Sequence, residues 1–173
     1  MYKVSKVISE SVLSEMEDDV LSNIFDTHQS SLAGEDADIY RDERTSKTIM
    51  CHRTFYPEFC LELEKFVDDG TKVTQLDVLL YEEGDKFLIH QDVIGKSNDR
   101  VWSTSTIIKY SDDYEGKGLA LYTDDRKVLK QTEPTYPRQD VGDTIIFRSN
   151  VYHEAKPVEK GTRLVAVAWL GYK

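Results

Sequence analysis

The sequence predicts an α+β domain, mainly β, in which two helices precede seven or eight short strands that close into a sandwich or barrel such as a jelly roll. Three observations carry this reading. Helical periodicity is confined to the first 70 residues, the segments after Gly70 are short and rich in β-branched and aromatic residues, and turn residues separate them regularly. A chain of 173 residues supports one domain with a real core, so the expectation is a single domain over 1–173. Its helical support would occupy about 1–70 and its β core about 71–173.

From Val12 to Phe25 the apolar residues Val12, Leu13, Met16, Val20, Leu21, Ile24 and Phe25 recur at three- and four-residue intervals, with Ser9 or Ser11 available as N-cap. The stretch from Thr27 to about Lys47 holds five acids and only scattered apolar residues, which predicts a long loop. A second helix starts at Pro57, buries Phe59, Leu63, Phe66 and Val67, and stops at Gly70. The predicted strands are Val73–Tyr81, Phe87–Asp92, Ser103–Tyr110, Leu119–Tyr122, Thr144–Phe147, Val151–Ala155 and Arg163–Leu170, with turns at EEGD, GKSND, SDDYEGKG, VGD and EKG.

Composition narrows the function classes. Twenty-two Lys and Arg stand against 32 Asp and Glu, a formal charge of −10, which disfavours nucleic acid because phosphate binding requires clustered cations. No apolar run approaches the length of a membrane span, and the start MYKVSKVISE lacks the apolar core of a signal peptide. Cys51 and Cys60 form no CxxC and no disulfide framework, and two free thiols in a reducing compartment fit a cytoplasmic location.

Four histidines, His28, His52, His90 and His153, limit the ways a histidine site is built. In HQD, His90 and Asp92 are two apart, which on a strand presents imidazole and carboxylate to one cavity. Alone, such a pair is common by chance. His153, in the later strand VYHEA, is the candidate third ligand. Two His and one carboxylate on one side of a metal leave three positions open, the arrangement of non-haem Fe(II) oxygenases, against the alternative of three unrelated polar residues at strand ends. His28, at a helix end, and His52, beside a cysteine in a charged segment, are expected to be ordinary histidines. Arg163 shares a strand face with Val165, Val167 and Trp169, so it needs an anion, either a co-substrate carboxylate gripped bidentately or a surface acid at the rim.

The segments LLYEEGDKFLIHQD, YEGKGLALY and VGDTIIFRSNVYHEAKPVEKGTRLVAVAW, in that order from Leu79 onward, resemble the Fe(II)- and 2-oxoglutarate-dependent dioxygenases of the prolyl-4-hydroxylase type. The resemblance implies a double-stranded β-helix (jelly-roll) core with the N-terminal helices packed on the sheet. It further implies His90, Asp92 and His153 as iron ligands, Arg163 as the partner of the distal 2-oxoglutarate carboxylate, and Tyr81 as a hydrogen-bond donor to that carboxylate. Lys109 stands where relatives often place a tyrosine facing the co-substrate. It either contacts 2-oxoglutarate or substrate, or points outward as a solvated edge residue. The paired glycines of the family stand here as Gly116-Lys117-Gly118.

The implied activity is hydroxylation of an unactivated C–H bond with O₂, yielding succinate and CO₂, with ascorbate as a supporting reductant. A prolyl or other residue of a peptide or protein is the expected substrate. A free amino acid or small metabolite is the alternative, and a catalytically silent cupin-like binding protein is the reading from a different class. Specificity is expected in the loops Val93–Trp102, Thr123–Asp140 and Thr27–Lys47, with Trp102 as either a substrate wall or core, and the first of these loops as a lid.

Overall fold

The computed structural model describes residues 2–22, 28–29, 44–51, 53–93, 99–122 and 133–172. Fourteen elements follow in chain order. They are β1 (Tyr2–Lys6), α1 (Glu10–Ser22), β2 (His28–Gln29), β3 (Lys47–Cys51), α2 (Pro57–Val67), β4 (Lys72–Tyr81) and β5 (Phe87–His90), then β6 (Arg100–Tyr110), β7 (Glu115–Gly116), β8 (Leu119–Tyr122), β9 (Asp143–Arg148), β10 (Tyr152–Ala155), β11 (Val158–Lys160) and β12 (Arg163–Gly171).

The major sheet has the order β1-β9-β6-β12-β4-β3-β2, and β5-β10-β8 form a smaller sheet facing it. All named pairings are antiparallel. The central strand β12 shows how the layers divide. Its even positions Leu164, Ala166, Ala168 and Leu170 join Leu76, Val78, Leu80 and Ile108 under the helices, packing against Val12, Met16, Val20, Phe59 and Leu63. Its odd positions Arg163, Val165, Val167 and Trp169 face the cavity between the sheets. One strand thus builds the helix-packed core on one face and the cavity wall on the other, by the two-residue period of the pleat.

Helix α2 forms as its sequence dictates. Pro57 occupies the first turn, and Asp68 ends the helix in the left-handed conformation (φ 47°), donating its N–H to Glu64 O at 3.0 Å. Phe59, Cys60 and Leu63 are fully buried. Glu64, buried with them, is offset by Lys72 at 3.0 Å and by the Val73 N–H at 2.9 Å. Burial pushes the Cys60 thiol up to about 11, so it is an inert core residue.

The N-terminal part is not purely a helical support. Strand β1 extends the major sheet beside β9, and β3 with β2 extends it beyond β4. β1 is an edge strand with Val4 39 % exposed, so it lacks the apolar alternation that marks a half-buried strand. Helix α1 is described as far as Ser22, and the rest of the predicted helix, to Phe25, lies outside the described residues; His28, on β2, pairs with Thr48 on β3 and does not end a helix. Phe66, expected in the core, is exposed and lies under Lys3 Nζ at 5.7 Å. Trp102 packs on the helix side of the major sheet and donates to Asp69 Oδ2 at 2.7 Å, so it is core and not a substrate wall. His52, residues 30–43, the centre of the predicted lid at 94–98 and residues 123–132 lie outside the described residues. Among the described residues no helix is long and apolar enough to cross a membrane.

Candidate active site

The smaller sheet brings the two distant histidines together. In the β10–β5 pairing His153 is the register partner of His90, although 63 residues separate them in the chain. Strand β5 ends at His90, so Asp92 is held by its backbone and not by the pleat, its N–H donating to Ser149 O at 3.0 Å. The outcome is the juxtaposition expected from the HxD spacing. His90 Nε2 is 3.6 Å from Asp92 Oδ1 and His153 Nε2 is 3.4 Å from Asp92 Oδ2. One ligand atom from each residue lies within 4.8 Å of the other two, and among the described residues this is the cluster able to hold a metal ion.

Both imidazoles are oriented by the same device. His90 Nδ1 faces Leu88 O at 2.7 Å and His153 Nδ1 faces Val151 O at 3.0 Å. A carbonyl only accepts, so the proton sits on Nδ1 and the Nε2 lone pair points to the cluster, the tautomer a metal ligand needs. Phe87 stacks on His90 at 3.6 Å between ring centroids, and Phe147 meets His153 edge-on at 4.8 Å. The Ser103 hydroxyl donates to Asp92 Oδ2 at 2.6 Å and lies 3.0 Å from the Ser149 hydroxyl. Neither serine stood out in the sequence, because a small polar residue on a strand carries no motif.

Electrostatics match this geometry. Burial opposes ionisation of Asp92, but His153, His90 and the Ser103 hydroxyl outweigh it and hold the carboxyl well below its usual range. Burial pushes His153 down to about 4 against the pull of Asp92, so its imidazole is neutral near pH 7. One carboxylate and two imidazole nitrogens form a partly open ligand set of the kind that suits Fe(II).

Across the cavity, Arg163 opens β12 between Tyr81 on β4 and Tyr110 on β6. It is 4 % exposed, its guanidinium carbon lies 4.5 Å over the Tyr81 ring, and its Nε has no hydrogen-bond partner among the described residues. A buried guanidinium with an orphaned donor fits an incoming carboxylate. Gly118 makes the space: it is left-handed (φ 69°), and a Cβ there would lie 3.3 Å from Arg163 Nη1. This gives the second glycine of Gly116-Lys117-Gly118 a physical reason.

Lys109 does not reach the cavity. In the β6–β12 register Lys109 faces Leu164 while Ile107 faces Val165, so Ile108 is an extra residue and the pleat slips by one. Lys109 therefore turns outward to pair with Glu17 on α1, and Tyr110 turns in to pack with Tyr81, Val165 and Val158. This replaces the reading of Lys109 as a co-substrate contact. The cavity is completed by residues without a sequence signal, among them Arg44, Gln139 and Thr104.

Comparison with known proteins agrees. The sequence profile of the 2OG-Fe(II) oxygenase superfamily matches residues 76–171. A PKHD-type hydroxylase from Gloeothece citriformis is 32 % identical over 104 residues, which cover 57 % of this chain and 43 % of that protein, so the match spans less than half of the relative. The fold is similar to that of a Pseudomonas putida prolyl-4-hydroxylase, with TM-score 0.72 and 13 % identity over 99 % of this chain and 92 % of that one. It is also similar to a viral collagen prolyl hydroxylase from Paramecium Bursaria Chlorella virus-1, with TM-score 0.65 and 15 % identity over 99 % and 96 %. At such identities the structural likeness speaks for the double-stranded β-helix fold. The profile match, which covers more than half of the sequence and spans β12, the HQD segment and VYHEA, shows that the chain belongs to the 2OG-Fe(II) oxygenase superfamily.

Proposed function

We propose that this protein is an Fe(II)- and 2-oxoglutarate-dependent hydroxylase in which His90, Asp92 and His153 hold the metal and Arg163 holds the distal carboxylate of 2-oxoglutarate. The observation that carries this is the pairing of a preorganised His-Asp-His cluster with a buried, orphaned guanidinium in the wall of one cavity. Bound Fe(II) would supply the oxidising chemistry, in which 2-oxoglutarate, O₂ and a substrate C–H become succinate, CO₂ and an alcohol.

The chain's own residues bind and orient. Asp92, held anionic by its surroundings, neutralises part of the metal charge, while the Leu88 and Val151 carbonyls fix the two imidazole planes. Arg163 would set the co-substrate's distance from the metal, with Tyr81 under its guanidinium keeping the fork in place. Leu79, Ile107, Leu119, Phe147 and Val165 make the cavity largely apolar, which strengthens charge interactions inside it and limits stray water.

The favoured substrate is a prolyl or other residue of a peptide or protein, supported by the prolyl hydroxylases among the proteins of similar fold. A cytoplasmic location belongs to the same proposal. The complete ligand set and the anchoring Arg163 weigh against a silent binding protein. Succinate formation from 2-oxoglutarate with Fe(II) and ascorbate, with and without a panel of prolyl peptides, tests the reading. Stimulation by a peptide is the expected result. No succinate above the protein-free background would refute the hydroxylase reading, and stimulation by a free amino acid alone would move the substrate to the small-molecule class.

A further inference from the structure

The cavity holds a second buried cation that the proposed chemistry leaves unused. Arg44 is 8 % exposed, lines the same cavity as the metal cluster, and its Nε has no hydrogen-bond partner among the described residues. Its position is built. The backbone of residues 44–45 bridges to the start of β5, with a bridge between Arg44 and Phe87, the Thr45 N–H on Lys86 O at 3.1 Å and the Lys86 N–H on Thr45 Oγ1 at 3.0 Å. The guanidinium carbon lies 4.9 Å from the Phe87 ring centroid, and Phe87 in turn stacks on His90 at 3.6 Å. A group held by Arg44 is therefore one aromatic ring from a proposed metal ligand.

Arg44 and the co-substrate anchor enter the cavity from different elements: Arg44 by its bridge to Phe87 on β5, Arg163 from β12 between Tyr81 and Tyr110. Asp77 attracts Arg44 without closing on it: no ion pair joins the two, and the Asp77 carboxylate accepts instead from Gln75 Nε2 at 3.1 and 3.3 Å, so Arg44 Nε stays open. Charge counting leads to the same place. Fe(II), Asp92, Arg163 and doubly ionised 2-oxoglutarate together are neutral, so the proposed reactants supply no partner for Arg44, whose acidic neighbour Asp77 makes no ion pair with it. A stacking contact with Phe87 offsets part of the cost of burying a guanidinium, and a fixed anion offsets the rest.

We infer that Arg44 is a specificity-determining residue that receives a carboxylate of the primary substrate. The inference rests on the hydroxylase reading and extends it. The carboxylate belongs either to an acidic residue flanking the target in a polypeptide or to a free amino acid. Both present the same planar pair of oxygens to the fork.

The test uses full-length protein loaded with Mn(II) and 2-oxoglutarate, with binding read by calorimetry under nitrogen. Two probe pairs separate the sources: L-proline against L-prolinamide, and acetylated, amidated alanyl-prolyl-glutamate against its glutamine counterpart. Wild type is expected to bind the carboxylate member of one pair about tenfold or more tightly than its amide, and the pair that shows the preference names the source. Arg44→Gln should abolish the preference, and Arg44→Lys should restore part of it. The same titrations report 2-oxoglutarate affinity, which should fall in Arg163→Gln and hold within about twofold in Arg44→Gln, showing that the latter is folded. Equal affinities within both pairs, absence of binding by either carboxylate probe, or a preference that survives Arg44→Gln would overturn the assignment. Failure of wild type to bind 2-oxoglutarate at all would overturn the hydroxylase reading, a different result from any of these.

Discussion

The two walls of the cavity differ in how their polar groups are satisfied. On the smaller sheet the groups around the metal cluster have protein partners: both Nδ1 atoms face carbonyls, and Asp92 takes the Ser103 hydroxyl and faces both Nε2 atoms. On the major sheet Arg163 Nε and Trp169 Nε1 are unpartnered on β12, and Arg44 Nε is unpartnered at the seam where residues 44–45 bridge the start of β5. A wall that is complete without ligands is one that holds a metal in a fixed geometry. A wall with unsatisfied donors is built for molecules that come and go. The difference separates residues whose loss destroys the centre from residues whose loss weakens a substrate.

The most damaging changes should be in the complete wall. Asp92→Ala leaves two imidazoles with no anion and should abolish stoichiometric Fe(II) or Mn(II) binding, measured by equilibrium dialysis, and His153→Ala should do the same. Tight metal binding in both variants would place the metal elsewhere. Next comes Arg163→Ala, which leaves the co-substrate carboxylate buried and unpaired. By the penalty for breaking a buried ion pair, about 3 to 5 kcal/mol, the 2-oxoglutarate requirement should rise by two orders of magnitude or more while metal binding stays. Arg163→Lys should recover only part, since the fork is lost.

Ser103→Ala sharpens the contrast between the walls, because it removes a partner of Asp92 without touching a ligand. Metal affinity should fall roughly tenfold to a hundredfold, as expected for a group that orients a ligand, with 2-oxoglutarate affinity at saturating metal little changed. Gly118→Ala should produce the smallest effect. A left-handed alanine costs about 1 to 2 kcal/mol, and its Cβ presses on Arg163 Nη1, so the 2-oxoglutarate requirement should rise severalfold with metal binding intact. A larger effect on metal than on 2-oxoglutarate would invert the division of labour between the two walls.

Much of the centre was legible in the chain because strand periodicity is local. The alternation of Arg163, Val165, Val167 and Trp169 needs only neighbours two residues apart and led to the cavity face, whereas the His90–Asp92 spacing led to the right pair although Asp92 lies past the end of β5 and is held by Ser149 O. The late position of His153 became meaningful only through the family order of segments, since its pairing with His90 is a long-range register. Where local counting met an irregularity it failed. Counting by two along β6 gives Lys109 the same face as Ile107, and the bulge at Ile108 reverses it, which no residue in RVWSTSTIIKY announces. Arg44 was invisible for another reason: it stands at the end of a polar acidic stretch, where an arginine ordinarily pairs with its neighbours in solvent. Only the bridge to β5 draws it into the cavity. The same holds for β1 and β3, short strands whose place is set by the sheet edges that they extend.

In the function proposed above, one cavity joins a metal held by His90, Asp92 and His153 to a 2-oxo acid anchored by Arg163. Anaerobic titration of 2-oxoglutarate into the Fe(II)-loaded protein tests it most directly, because a 2-oxo acid chelated to Fe(II) absorbs visible light and neither component does so alone. A saturable band is expected in wild type. In Arg163→Ala it should appear only at far higher 2-oxoglutarate, and in Asp92→Ala not at all. Absence of the band in wild type, or an identical titration curve in Arg163→Ala, would contradict the claim.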